Sequence, residues 1–108
     1  MSSEFDLNRR NKIIVMLVQA LWGAISGNFR MVALEFGEST LQVLVVLDSD
    51  SASDREEIED IAAEFDALLL GLTNTGTIAF EVKTVVDSAP LDILDPACWF
   101  TVFRRRED

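Results

Sequence analysis

The stretch from Asp48 to Leu70 constrains the fold more than any other part of this chain. Read from Leu47 it runs LDSDSASDREEIEDIAAEFDALLL. Ile58, Ile61, Ala62, Phe65, Leu68 and Leu69 recur at steps of three and four, which is one apolar stripe on a helix. Ser53 and Glu56 have the spacing of a capping box, in which the serine hydroxyl and the glutamate satisfy the first free backbone N–H groups. The opposite face carries Glu56, Glu57, Asp60 and Glu64. Nine of the 19 acidic residues fall between Asp48 and Asp66, where Arg55 is the single base. The helix therefore builds a core with one side and concentrates negative charge on the other.

Such a charge run is read in two ways. As a solvated face it keeps a small protein in solution, and carboxylates near a helix N-terminus also suit the macrodipole. Yet Glu56 with Glu59, and Asp60 with Glu64, are like charges at helical-neighbour spacing, which costs stability. That cost fits a surface that meets a basic partner.

The remaining elements follow from pattern. Asn8 is placed to cap a first helix running to about Ala24, with Ile13, Ile14, Leu17, Leu21 and Trp22 at helical spacing. Val15, Met16 and Val18 make that helix apolar almost all round, so burial on more than one side is expected, by the sheet or by a second subunit. Phe29 to Phe36 and Leu41 to Leu47 read as strands joined at Gly37 in a hairpin. The nearly unbroken apolar run of the second suits a central strand. Thr77 to Val86 and Trp99 to Phe103 read as two further strands, separated by a loop holding Pro90 and Pro96. Trp22, Phe29, Trp99, Phe100 and Phe103 are expected to be mainly core. The order is helix, hairpin, helix, hairpin, which predicts an α+β sandwich with a four-stranded antiparallel sheet packed with two helices. Residues 1–108 are read as one domain.

A net charge of −10 and a sequence pI near 4.3 disfavour nucleic acid and anionic membranes as direct partners and favour basic proteins or cations. There is no histidine and no tyrosine, so imidazole bases, Cys-His pairs and His-ligated zinc are excluded. Cys98, the single cysteine, has no base partner in the sequence and reads as an inert buried thiol, compatible with a reducing compartment. Asp48, Asp50, Asp54 and Glu59 echo a calcium-loop spacing, but Ala52 and Ser53 occupy positions that such a loop gives to a ligand and a glycine. No catalytic residue, cofactor or metal site is assigned. Ile13 to Ile25 is too short to span a bilayer and no signal peptide is apparent, so a cytosolic protein is expected.

Ala20 to Phe36, ALWGAISGNFRMVALEF, resembles the ALxGxIxxNxRxVxVxF-like stretch of a family of small bacterial immunity proteins. An apolar strand, an acidic helix with AAEFDA, a proline-containing loop and the closing WFTVFRRRED extend the likeness over roughly Ala20 to Glu107. These features are similar to the immunity proteins of contact-dependent growth inhibition and related polymorphic toxin systems. The resemblance implies a non-catalytic cytoplasmic antidote that binds the C-terminal toxin domain delivered by a sister cell, in many systems a nuclease acting on tRNA. With the acidic face it points to Asp50, Asp54, Glu56, Glu57, Asp60 and Glu64 as toxin-binding residues and to Trp99 as an aromatic anchor. The competing expectation is a homo-oligomeric structural or assembly protein whose first helix forms the dimer contact.

Overall fold

The computed structural model describes residues 7–37, 40–71, 79–88 and 99–105. Within them the order is α1 (Leu7–Leu21), β1 (Phe29–Phe36), β2 (Thr40–Leu47), α2 (Ala52–Leu70), β3 (Ala79–Val86) and β4 (Trp99–Arg104). The four strands form one sheet in the order β3-β2-β1-β4.

The first hairpin is as expected: β1 and β2 are antiparallel, and the Gly37 amide donates to the Thr40 carbonyl at 2.9 Å. The second hairpin does not form. β3 lies parallel to β2 on one edge, while β4 pairs antiparallel with β1 on the other. The sheet is therefore mixed. Parallel neighbours need a crossover, and α2 supplies it between β2 and β3. Burial follows this order, because β1 and β2, flanked on both sides, are mostly buried along their length while β3 and β4 are not. The edge strands carry Glu81, Lys83 and Arg104, which suits flanks exposed to water.

One core joins both helices to one face of the sheet. Ile13, Leu17 and Leu21 of α1 meet Ile58, Ile61, Phe65 and Leu69 of α2 over Val32, Leu34, Leu41, Val43, Val45 and Leu47. The Phe65 and Phe80 rings pack edge to face with centroids 5.1 Å apart. Met31, Ala33 and Val46 belong to the opposite face of the sheet and are also buried.

Three helix ends differ from expectation. α1 already includes Leu7, so Asn8 lies within its first turn and is not its cap. α1 stops at Leu21, before Ala24, because Gly23 adopts a positive φ of 77° that a side chain would resist. Trp22, expected in the core, falls on the side of α1 away from Ile13, Leu17 and Leu21 and is 86% exposed, and Phe100 is exposed as well. α2 is capped by Ser51, not Ser53: the Ser51 hydroxyl accepts from the Asp54 amide. Replacing Ser51 by alanine should cost about 1 kcal/mol, as for a typical N-cap, and replacing Ser53 less than about 0.5 kcal/mol. Urea unfolding of the two variants checks this, and the reverse ranking would return the cap to Ser53.

Candidate functional site

The acidic face of α2 is positioned by a hydrogen-bonded latch at its N-terminus. Asp54 sits in the first turn and is only 6% exposed. The Ser26 hydroxyl donates to its Oδ1 at 2.9 Å, and the Asn28 side-chain amide donates to its Oδ2 at 2.8 Å. Asn28 also donates to the Ser49 carbonyl at 2.7 Å and accepts from the Ser49 amide at 2.9 Å. One carboxylate and one carboxamide thus tie the loop after α1, the loop after β2 and the start of α2. The Asn28 hydrogen bond is the strongest influence on Asp54. It holds the carboxyl below its usual 3.8 against the opposing effect of burial, with Ser26 and then Ser51 adding to it.

Beyond the latch the helix presents its charge. Glu56, Glu57, Asp60 and Glu64 are exposed and, at 100° per residue, fall within an arc of about 100°. Glu59 and Asp66 are exposed on the other flank. The side chains of Glu56, Glu57, Asp60 and Glu64 form no ion pair among the described residues. Asp50 does, accepting from Arg55 Nε at 2.6 Å. No three of the described Asp, Glu and Cys side chains are grouped to hold a metal ion.

Of the seven residues expected at the interface, four make one ridge and Asp50 lies beside its start. The other two are placed elsewhere. Asp54 points inward as part of the latch and is not a surface charge. Trp99 pairs with Glu35, which shares a face with Ala33 and Met31, so it sits on the side of the sheet away from both helices. Cys98 and the prolines of the loop before β4 lie outside the described residues. Sequence reasoning missed Ser26 and Asn28 as the partners of Asp54. Asn28 stands in the sequence only as part of the Ala20–Phe36 stretch, and nothing local links it to a carboxylate 26 positions away.

Arg30 is the other polar residue drawn inward. It is buried, its guanidinium donates to the Asp87 carbonyl at 2.5 Å, and its own carbonyl accepts from the Arg105 amide. Asn28 and Arg30 are two of the polar residues of the Ala20–Phe36 stretch, and both are tied into the fold by hydrogen bonds to distant segments.

The described residues thus form an α+β scaffold with an acidic ridge on a helix tied down at its start, and the class of the protein comes from comparison with known families: it is an immunity protein. It belongs to the MafI2 immunity protein family, which matches residues 10–107. No curated protein matches the chain significantly. Membership implies a toxin-neutralising role with a protein toxin as the partner. No helix among the described residues is long and apolar enough to cross a membrane.

The latch makes a pH-dependent contribution with a definite sign. Because folding lowers the Asp54 pKa, its stabilisation is complete above the unfolded value near 3.8 and is lost as pH falls through the folded value. Asp54→Ala should destabilise the fold by about 2 kcal/mol near neutral pH, the scale of hydrogen bonds to a buried charged group. The gap between wild type and variant should be constant above about pH 5 and shrink below it. Thermal unfolding across a pH series measures both, and a gap that widens on acidification would contradict the latch.

Proposed function

We propose that residues 1–108 form one non-catalytic domain that acts in the bacterial cytoplasm as the antidote to a toxin domain delivered by a neighbouring cell. The toxin in this reading is a basic nuclease, a tRNase being one such enzyme. The antidote blocks it by laying α2 across the cationic cleft that would hold the nucleic acid backbone.

The observation that carries this is the ridge of Glu56, Glu57, Asp60 and Glu64, without an ion pair among the described residues, on a helix whose start is held by Asp54. Glu56 and Glu57 gain from the helix dipole, but the mutual repulsion of four carboxylates packed this closely opposes the helix. Matched to a cationic cleft, the same carboxylates stand where phosphates would lie and accelerate encounter with the correct partner. Asp50 adds charge at the near end of the ridge, moderated by Arg55. Trp99, on the far side of the sheet, takes no part in this contact.

Glu57→Lys combined with Asp60→Lys should slow association with the cognate toxin domain at least about tenfold at low ionic strength, with the deficit shrinking as salt is added. Stopped-flow or surface-capture kinetics over a salt series reads this directly. Association rates equal to wild type at every ionic strength would remove α2 from the interface.

A further inference from the structure

The outward side of α1 is a second surface of different character. Leu7, Val15, Val18 and Trp22 are 75%, 56%, 43% and 86% exposed, and Asn11 is exposed between them. Their spacing of four, four, three and four residues keeps all five within an arc of about 80°. That is the seam spacing by which one helix lies along another. No acidic residue occurs anywhere in α1, in a chain of net charge −10. A hollow of about 270 Å³ adjoins the seam at its C-terminal end, walled by Val18, Trp22, Ile25, Val102 and Phe103. A second, of about 330 Å³, lies along its middle between Lys12, Val15 and Gln19.

We infer that this seam is a homodimer contact, in which α1 of one copy lies antiparallel to α1 of a second copy about a two-fold axis at Val15. Three features select a second copy. The seam is self-complementary: turned about Val15, Leu7 of one copy comes to the apolar hollow beside Trp22 of the other, as an isologous interface requires. Its charges also match themselves. Lys12 comes beside residues 18–21 of the second copy, the negative pole of a helix whose last turn holds no basic residue. The four apolar residues expose roughly 500 Å² per copy, so a pair would bury at most roughly 1,000 Å² from them, the size at which specific interfaces begin and that of a weak, reversible dimer. A cationic toxin, by contrast, has its electrostatic match on α2, and the seam offers it no carboxylate. The inference does not rest on the toxin being a nuclease or on the α2 ridge binding it.

Sedimentation velocity of the full chain from low micromolar to near-millimolar concentration should show a reversible monomer–dimer equilibrium. Because each copy carries −10, added salt should tighten this dimer. Val15→Glu, which sets two carboxylates face to face on the axis, and Trp22→Ser should each weaken it at least tenfold while leaving the circular dichroism melt unchanged. Both positions are exposed, so neither variant is expected to disturb folding. In a Cys98→Ser background, Val15→Cys should oxidise to a covalent dimer. Leu7→Cys should not, because antiparallel helices place the two copies of that residue about 24 Å apart at 1.5 Å per residue. A monomer at every concentration, a dimer indifferent to both seam variants, cross-linking by Leu7→Cys as readily as by Val15→Cys, or loss of toxin binding in Val15→Glu from a monomeric wild type would each overturn the proposal.

Discussion

The contact on which the rest of this molecule depends is the pair of hydrogen bonds that Asn28 and Ser26 make to the carboxylate of Asp54. They join segments more than 20 residues apart and decide where α2 begins and in which direction it leaves the sheet. A hydrogen bond to an ionised group in a partly water-excluded site is worth more than a neutral one at the surface. The latch is also economical in electrostatic terms. It consumes one carboxylate of a strongly acidic segment and orients the remainder outward, so a cluster that would otherwise unsettle the helix is anchored at its first turn. Ser51 completes the arrangement by capping the same turn.

Two faces of opposite character result from packing both helices on one side of the sheet. α2 buries Ile58, Ile61, Phe65 and Leu69 and leaves carboxylates outside. α1 buries Ile13, Leu17, Ala20 and Leu21 and leaves Leu7, Val15, Val18 and Trp22 outside. Neither exterior is explained by the fold alone: one stores repulsion and the other wets large apolar groups. The proposed toxin contact would account for the first, and the proposed pairing of α1 for the second, without competing for the same surface.

Much of the architecture was legible from pattern. The six elements appear in the expected order, and the apolar run of β2 marked it as central. Legibility failed where pairing depends on distant segments. β3 and β4 follow one another in sequence, and neighbouring strands usually pair, but the α2 crossover delivers β3 beside β2 and leaves the far flank of β1 for β4. No local feature of either strand records that choice. The candidate site divides similarly. Helical periodicity was enough to predict the exposed ridge, whereas Asp54 and Glu56 look alike as letters and differ only because Asn28 arrives from another loop. Trp22 shows a different limit: its four-residue step from Val18 puts it on the exposed side of α1, opposite Ile13, Leu17, Ala20 and Leu21, and which side is buried is decided by the sheet and α2.

The pairing of β4 with β1 also has a consequence for biogenesis. The third strand of the central antiparallel array arrives some 70 residues after the first, as residues 99–104 emerge. Until then β1 has an open backbone flank able to recruit any extended segment nearby. A nascent or prematurely ended chain would therefore be sticky along that flank. The pairing of β4 closes that flank once residues 99–104 are made, so a strand far along the sequence protects the first one.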